Sequence, residues 1–349
     1  MHTEFLIIGQ GISGTFLGWN LQKANRSFIT IDNGDHQSAS RVAAGIINPV
    51  TGRRIVKTWM IDELLPFALQ QYQFLGDELG IVAVTQKNTI DFFPSPQMLI
   101  AFRERIKEDT TYLSLPDDTT QYRSLFNYDF GYGEITPCYA VNLYELLPAW
   151  RKKQLLLNRL MEEDFNIDQL IISDSIQYKD ITADKIIFCD GIQTAENPFF
   201  KKLPFAINKG EALLIEADGI PANRVFKKAL HLIPVKETVF WAGSSYEWNF
   251  DQAGPSEAFR DKTMQQLKSW IKVPFKLLDH IAALRPATIE RRPFVGIHPH
   301  HTQVAILNGM GTKGCSLAPY FADQLVNLLI SGIPVLPEAN INRFTRILH

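Results

Sequence analysis

Three glycines near the start of the chain have the spacing of residues that hold a pyrophosphate. Gly9, Gly11 and Gly14 follow the apolar run "FLII" and open a segment with helical periodicity. In such a turn the first glycine permits the tight bend, the second lets the backbone approach the phosphates, and the third lets helix and strand pack closely. The free N–H groups of the helix start, including those of Ile12 and Ser13, then point at the anion. We therefore predict a dinucleotide-binding turn, with a purely structural glycine turn as the alternative.

An acidic residue stands where such a turn needs a partner for the ribose. Asp32 ends the second apolar run, 18 residues after Gly14. A carboxylate there accepts hydrogen bonds from ribose hydroxyls and disfavours a 2′-phosphate. The turn by itself does not decide between NAD and FAD. The next residues are small, namely Ser38, Ser40, Ala43, Ala44 and Gly45. They suit a backbone that lies against a flat ring, although an ordinary loop explains them equally well.

A second glycine-rich turn lies near the end of the chain. The sequence "LNGMGTKGCS" follows the apolar run "VAIL" and precedes a helix-like run over residues 317–330. Its candidate binding residues are Gly309, Met310, Gly311, Thr312, Lys313 and Gly314. A helix start carries free N–H groups and partial positive charge, which stabilise negative charge. Lys313 has an alternative interpretation as an ordinary solvated lysine.

The composition describes a folded protein without a strong charge preference. The 349 residues are 46% hydrophobic, which is enough for a large core and, by length, for two domains. Lys and Arg total 35 against 37 Asp and Glu, so the formal charge of −2 predicts no general attraction to nucleic acid or anionic membranes. We find neither an export signal nor a window approaching the roughly 18 apolar residues of a membrane span. Three cysteines without paired spacing favour a reducing compartment, so we expect a cytoplasmic protein.

The elements that must position these residues alternate in type along the chain. The chain opens with strand, helix and strand, a βαβ unit. Segments of the parallel-sheet type lie at residues 1–80, 141–204 and 288–349, and segments of the antiparallel type lie at residues 81–140 and 205–287. Within the first antiparallel segment we expect short strands broken by "PSP" and "LPDD". The sequence therefore predicts an α/β fold in which a Rossmann-like domain is interleaved with an antiparallel-sheet α+β domain.

Seven stretches, in order along nearly the whole chain, carry a family resemblance. They are "IIGQGISG", "SRVAAGII", "IIFCDG", "KGEALLI", "LRPAT", "PFVGIHP" and "NGMGTKGCSLAP". They resemble the FAD-dependent D-amino-acid oxidase and glycine oxidase family, which includes sarcosine oxidase-like enzymes. The resemblance implies a FAD-binding domain of the glutathione-reductase type in the parallel segments and a substrate domain in the antiparallel ones. The C-terminal block is also similar to the FAD domain of the bifunctional tRNA 5-methylaminomethyl-2-thiouridine biosynthesis protein.

The resemblance implies FAD as the cofactor. The residues it assigns to FAD are Gly9, Gly11, Ile12, Ser13, Gly14, Asp32, Ser40, Arg41, Ala43, Ala44, Gly45, Asp190, Gly191, Arg285, Gly309, Met310, Gly311, Thr312, Lys313 and Gly314. In this family the second turn faces the pyrimidine end of the isoalloxazine, where negative charge accumulates on reduction. The cysteine or histidine that attaches flavin covalently in some relatives is absent at the matching points, so we expect non-covalent FAD.

Four residues are candidates for the substrate site. Arg285 stands where the family binds a substrate carboxylate, and a guanidinium pairs with a carboxylate through two parallel hydrogen bonds. Lys313 stands where relatives carry arginine, and Tyr246 and Asn48 are expected to line the cavity. The arginine pair at 291–292 is expected to be a surface or loop charge. The sequence "HPHH" at residues 298–301 predicts a hairpin turn rather than a metal site, because no carboxylate or cysteine stands at ligand spacing.

The resemblance predicts removal of a hydride from the carbon next to an amine, followed by hydrolysis of the imine in water. Relatives that activate oxygen with a lysine have it in the strand equivalent to "TVFWAGSS", which contains none here, so the electron acceptor stays open. Two alternatives remain. One is a tRNA-modifying FAD oxidoreductase acting on a carboxymethylaminomethyl uridine, which the neutral charge disfavours, and the other is a non-catalytic flavin-binding protein. We expect a small amine or amino acid as the partner, with its identity and the oligomeric state left open.

Overall fold

The computed structural model describes residues 1–52 and 54–348. The helices are α1 (Ile12–Lys23), α2 (Ala39–Val42), α3 (Ile61–Leu79), α4 (Pro96–Glu108), α5 (Leu143–Leu156), α6 (Glu257–Trp270) and α7 (Gly314–Ser331). The strands are β1 (His2–Ile8), β2 (Phe28–Ile31), β3 (Ile46–Ile47), β4 (Val50–Thr51), β5 (Val56–Lys57), β6 (Val84–Gln86), β7 (Thr89–Phe92), β8 (Leu113–Ser114), β9 (Tyr132–Ile135), β10 (Tyr139–Val141), β11 (Leu160–Met161), β12 (Leu170–Ile172), β13 (Ile176–Tyr178), β14 (Ile181–Phe188), β15 (Asn208–Glu216), β16 (Val225–Lys227), β17 (His231–Pro234), β18 (Val239–Gly243), β19 (Lys276–Arg285), β20 (Phe294–Ile297) and β21 (Val304–Asn308). Within the described ranges no helix combines the length and the apolar character needed to cross a bilayer.

The first large sheet joins parallel strands from distant parts of the chain. Its parallel strands lie in the order β11, β2, β1, β14 and β21. Antiparallel pairing of β12 with β13, β13 with β14, and β20 with β21 extends it. The central strands β1, β2 and β14 are mostly buried, as expected for a sheet covered on both faces. The predicted βαβ opening and the buried parallel strand before Asp190 are confirmed.

Helices cover one face of this sheet. Helices α1, α3, α5 and α7 form a core with Phe5 and Ile7 of β1. The alternate residues Leu6 and Ile8 belong to a second core on the opposite face, as the two-residue period of a strand requires. Both α1 and α7 begin where parallel strands of this sheet end, so the sheet brings the two glycine turns to the same edge.

The second large sheet has the strand order β19, β15, β18, β17, β16, β7, β9 and β8. Neighbouring strands are antiparallel, as predicted, except that β16 and β7 run parallel. Its core is rich in aromatic side chains such as Phe92 and Phe226, and α6 contributes Leu267 and Trp270 to it. These strands come from residues 89–135 and 208–285 of the chain. The boundaries of the two predicted domains stay a prediction.

One helix lies where the sequence predicted only short strands. Helix α4 occupies the middle of residues 81–140. Ser95 caps it by accepting a hydrogen bond from the Met98 N–H, and Pro96 stands in the first turn. Proline suits that position because its missing N–H has no intrahelical partner to lose. The "PSP" sequence is therefore a helix start, and its interpretation as a simple break between strands was wrong.

Candidate active site

A cavity of about 970 Å³ lies where the two large sheets meet. Both glycine turns line it, together with the small residues after Asp32 and parts of β15, β17, β18 and β19. Every predicted cofactor and substrate residue lines this cavity except Gly14. Residues separated by about three hundred positions in the sequence therefore share one space.

The first glycine turn is held by close backbone contacts. Gly9 has φ +95°, and a Cβ on it would lie 2.7 Å from the carbonyl oxygen of Cys189. A Cβ on Gly14 would overlap the carbonyl oxygen of Gly9, which explains why this glycine packs the helix on the strand and does not face the cavity. The Ile12 N–H at the start of α1 donates to the hydroxyl of Ser40 at 3.0 Å. The turn thus has the close approach of backbone that the glycine spacing predicts.

Asp32 is engaged in more bonds than the motif suggests. Its Oδ2 accepts from the Gln10 N–H at 2.7 Å, and its Oδ1 accepts from the Gly34 N–H at 2.9 Å. Arg151 donates to Oδ1 at 2.5 Å, and the Arg41 guanidinium lies 3.5 Å from the same oxygen. Because both oxygens already have donors, a ribose has to share them, and Asp32 also organises the loop around it.

The second glycine turn is tied to the strand that ends in Arg285. Gly309 and Gly311 have φ values of +77° and +54°, a region that favours glycine. The Gly311 N–H donates to the carbonyl oxygen of Pro286 at 3.2 Å. Lys313 stands at the N-cap of α7, and burial lowers the pKa of its ammonium group to about 8. The described residues contain no carboxylate within 4.0 Å of this ammonium group.

Arg285 reaches across the second sheet to the cavity. Its Nη1 donates to the side-chain oxygen of Asn208 at 2.9 Å and to the carbonyl oxygen of Ser245 at 3.2 Å. A Cβ on Gly210 would overlap the guanidinium, so the glycine leaves the space in which it lies. The ring of Tyr246 lies 5.6 Å from the guanidinium carbon. Burial lowers the pKa of Arg285, yet its only hydrogen-bond partners in the described part of the chain are neutral.

The ends of β14 and β21 meet below the cavity. Burial raises the pKa of Asp190 to about 7, and the hydroxyl of Thr194 donates to its carboxyl group. The side-chain amide of Asn308 donates to the carbonyl oxygen of Gly191 at 2.8 Å and to Thr194 at 2.6 Å. These bonds fix the position of the "CDG" turn relative to the second glycine turn.

Asn48 and the histidines at residues 298–301 form hydrogen bonds with nearby backbone N–H groups. Asn48 is buried and lines the cavity, but its side-chain oxygen accepts from the Val50 N–H at 2.9 Å. His298 accepts the N–H groups of His300 and His301, each at 3.2 Å, which makes the predicted turn. Burial lowers the pKa of His298 to about 4. No group of three or more possible metal ligands lies together in the described ranges.

The arginine pair at 291–292 lies in a loop, as predicted, and Arg291 is exposed. Both residues line the cavity. The guanidinium of Arg292, a half-buried residue, lies 4.1 Å from the ring centre of Trp59, which is a cation–π contact. Trp59 in turn stacks on Phe321 of α7. Sequence reasoning missed this packing because the aromatic partner is far away in the chain.

One family model matches most of the chain. A model of the FAD-dependent oxidoreductases of the DAO family matches residues 4–328. The chain belongs to this family. FAD is accordingly its cofactor, and it is an oxidoreductase. Glycine oxidase from Bacillus subtilis (strain 168) is 21% identical over 352 residues, covering 95% of this chain and 94% of the relative.

Solved structures show the same fold as this FAD-dependent oxidoreductase. The crystal structure of glycine oxidase from Geobacillus kaustophilus has a TM-score of 0.81 at 15% identity, with 100% of this chain and 99% of that chain covered. Iminodiacetate oxidase from Chelativorans sp. BNC1 has a TM-score of 0.74 at 18% identity, with 98% of each chain covered. The similarity of the C-terminal block to a tRNA biosynthesis protein stays a prediction.

Several residues around the cavity were not found from the sequence. Arg151 of α5 holds Asp32 and lies 119 residues from it, with no motif to mark it. Trp241 lines the cavity, and its indole N–H donates to the carbonyl oxygen of Val42 at 3.1 Å, which ties the second sheet to the small-residue stretch. The contact between Gly210 and the Arg285 guanidinium was also missed. The glycine in the stretch "KGEALLI" was the sequence signal that could have indicated it.

Proposed function

We propose that this FAD-dependent oxidoreductase oxidises the C–N bond of an amine that carries a carboxylate, such as an amino acid or an N-substituted glycine. Arg285 gives the main support for this proposal, because it is a half-buried cation in the cavity whose hydrogen-bond partners among the described residues are all neutral. A guanidinium in such a place gains a charge-assisted pair when a carboxylate binds. The substrates named for the two related oxidases, glycine and iminodiacetate, are both amines beside a carboxylate.

The residues around the cavity suit an extended FAD. We infer that the N–H groups at the start of α1, with Ser40, hold the pyrophosphate, and that Asp32 accepts from the ribose. Gly45 has φ +76°, and a Cβ on it would overlap the carbonyl oxygen of Val141, so glycine lets this part of the cavity wall pack closely on β10. The turn at residues 309–314 then takes the flavin end. We propose that the cofactor is held without a covalent bond.

The side chains of this chain would orient the substrate. When bound, FAD supplies the two-electron oxidising capacity. Arg285 fixes the carboxylate and thereby decides which face of the α-carbon is presented. Lys313 adds positive charge at the same end of the cavity. His231 also lines the cavity, and burial lowers its pKa to about 3. It is therefore neutral at neutral pH and adds no charge that would repel these two cations. The imine leaves and is hydrolysed by water, giving a carbonyl compound and the free amine.

An anaerobic titration tests the proposal directly. Purified holoprotein is mixed without oxygen with amino acids and N-substituted glycines while the flavin absorbance near its visible maximum is followed. Bleaching by one or more of these amines is expected, and no bleaching by their decarboxylated counterparts at the same concentration. A protein that is bleached by none of them is not an amine oxidoreductase of this kind. Where an amine does bleach the flavin, readmission of oxygen or of an artificial dye identifies the acceptor.

Arg285→Ala gives the second test. We expect the KM of the carboxylate substrate to rise at least tenfold, or about 1.4 kcal/mol, with FAD still bound. Arg285→Lys keeps the charge but not the paired hydrogen bonds, so it should recover part of the loss. Arg260→Ala, at a half-exposed arginine of α6 that does not line the cavity, is the matched control. Unchanged kinetics in Arg285→Ala would remove this residue from the site.

A further inference from the structure

Strand β15 presents different chemistry on its two faces. Gly210 and Ala212 face the cavity, and Gly210 lies directly under the Arg285 guanidinium. The alternate residues Lys209 and Glu211 point to the opposite face, as the period of a strand requires. They are nearly inaccessible, with 3% and 0% of their side chains exposed. The proposed function uses the first face and leaves this buried ion pair unexplained.

The buried pair is the centre of a polar cluster. The Lys209 ammonium lies 2.9 Å from Glu211 Oε1 and 3.5 Å from Glu247 Oε2. Glu211 also accepts from the Ser256 N–H at 2.6 Å and from the Ser256 hydroxyl at 2.7 Å. His280 Nε2 lies 2.9 Å from the other Glu211 oxygen. Burial alone would raise the pKa of Glu211, but its bonds to Lys209 and Ser256 outweigh burial and lower it.

The cluster holds one particular segment, residues 245–247. Lys209 and Glu247 exchange backbone hydrogen bonds of 2.8 and 3.0 Å. The Ser245 N–H donates to the Glu211 carbonyl at 3.1 Å, and the Ser245 hydroxyl accepts from the Glu211 N–H at 2.9 Å. This segment therefore continues β18 alongside β15, with its Glu247 side chain on the same face as the buried pair.

The same segment supplies two of the contacts of Arg285. The carbonyl oxygen of Ser245 accepts from its guanidinium, and Tyr246 stands over it. Tyr246 itself is 48% exposed, so its own packing does little to fix it. The backbone hydrogen bonds of Lys209 and Glu211 within the sheet place both contacts. On the far side of the strand, the Lys209 ammonium group adds an ion pair to Glu247 of the same segment.

We propose that the Lys209–Glu211 ion pair is a positioning device for carboxylate binding, which acts through segment 245–247 on the Arg285 guanidinium. This inference rests on the proposed function, because it assigns the pair to the site that binds the substrate carboxylate. Replacing a buried ion pair with apolar residues is often neutral or stabilising, so stability alone is a weak reason to keep one. A role in fixing the position of the Arg285 guanidinium would explain why the chain has this buried ion pair. Lys209 and Glu211 are positioning residues, since neither faces the cavity.

Glu211→Gln tests the proposal in the holoprotein. The probe is acetate, titrated at constant ionic strength and followed by the change in flavin absorbance, with acetamide as the uncharged counterpart. We expect the Kd of acetate to rise about tenfold, the binding of acetamide and of FAD to stay unchanged, and amide hydrogen exchange to accelerate at residues 245–247. With a substrate identified by bleaching, KM should rise while kcat is largely kept.

Two further variants separate positioning from folding. Glu216→Gln is the matched control, because Glu216 lies on the same strand but pairs with Lys276 in solvent. Lys209→Met combined with Glu211→Gln leaves no unpaired buried charge, so it should recover thermal stability while acetate affinity stays low. Acetate affinity at the wild-type value in Glu211→Gln, or in the folded double variant, would overturn the proposal and leave the proposed function standing. Failure of the wild-type protein itself to bind acetate or any other carboxylate would instead overturn both.

Discussion

Both glycine turns of the cavity lead from a parallel strand into a helix, but their charged neighbours differ in how they are paired. Beside the first turn, residues 9–14, the carboxylate of Asp32 is paired with Arg151 and lies 3.5 Å from Arg41, and the Ser40 hydroxyl accepts from the Ile12 N–H. In the second turn, residues 309–314, the neighbours are Lys313 and Arg285, with no carboxylate partner among the described residues. The charges beside the first turn are paired within the protein, while the cations beside the second turn have no carboxylate partner among the described residues.

This difference matches what happens at each end of the cofactor. The nucleotide end keeps a constant charge through a turnover, so it needs fixed hydrogen-bonding geometry. In the proposed arrangement, the flavin end gains negative charge on reduction and lies beside the substrate carboxylate, so positive groups there would stabilise states that differ in charge. A substitution at one end should therefore leave the other end unchanged.

Gly14→Ala should have the largest effect, at the nucleotide end. Its Cβ would overlap the Gly9 carbonyl oxygen, which is backbone and cannot move aside. We expect FAD affinity to fall by on the order of 100-fold, about 2.7 kcal/mol. Fluorescence titration of apoprotein with FAD measures this. Gly254→Ala, where the added Cβ meets open space, is the control, and equal affinities in the two variants would contradict the packing role of Gly14.

Gly210→Ala should affect the substrate end only. The new Cβ would displace the Arg285 guanidinium, which can move because it is the end of a flexible side chain. We expect about tenfold weaker carboxylate binding, ~1.4 kcal/mol, with unchanged FAD affinity. Adding Gly210→Ala to Arg285→Ala should cost little more, because both changes remove the same interaction. Additive losses in this double-mutant cycle would show that the glycine acts elsewhere.

Lys313→Met should lower the reduction potential of bound FAD. Below pH 8 the wild-type ammonium is protonated and stabilises the negative charge of the reduced cofactor, and it loses the proton as the pH rises through about 8. We expect a difference of about 30 mV at pH 7, ~1.4 kcal/mol for two electrons. This difference should disappear above pH 9. Spectroelectrochemical titrations of both proteins at pH 7 and 9, with Lys276→Met as an exposed-lysine control, measure it. A difference that does not depend on pH would exclude this protonation.

Ser40→Ala should have the smallest effect. It removes the acceptor of the Ile12 N–H at the start of α1, a single hydrogen bond between uncharged groups. We expect FAD affinity to fall about threefold, ~0.6 kcal/mol. Isothermal titration of apoprotein with FAD resolves this change, and Ser173→Ala, in a distant exposed turn, should not show it. A loss as large as that of Gly14→Ala would mean that Ser40 does more than accept one bond.

The sequence predicted the local parts of this fold because their causes are local. The glycine spacing at residues 9–14 predicted the close backbone contacts that the structure shows. The apolar run before Asp190 likewise predicted a buried strand. The helix α4 was missed although its Ser-Pro start is also local, because proline was interpreted only as a break. Attention to the N-cap serine would have found it.

The sequence predicted which residues line the cavity better than it predicted which residues they contact. All the predicted residues except Gly14 line the cavity, but Arg151, Asn208 and Ser245 were not foreseen. Each of these contacts depends on which strands and helices become neighbours, and no spacing within one segment encodes that. The roles of the lining residues therefore stay predictions for the experiments above.

The hydrogen bond between the Trp241 indole and Val42 joins the second sheet to the small-residue stretch that follows Asp32. Because the same indole lines the cavity, its intrinsic fluorescence should be quenched when flavin fills that space and should recover when the cofactor leaves. Comparison with a Trp241→Phe variant would isolate this one emitter. The fluorescence of Trp241 should therefore report whether the cofactor is bound between the second sheet and the stretch that follows Asp32.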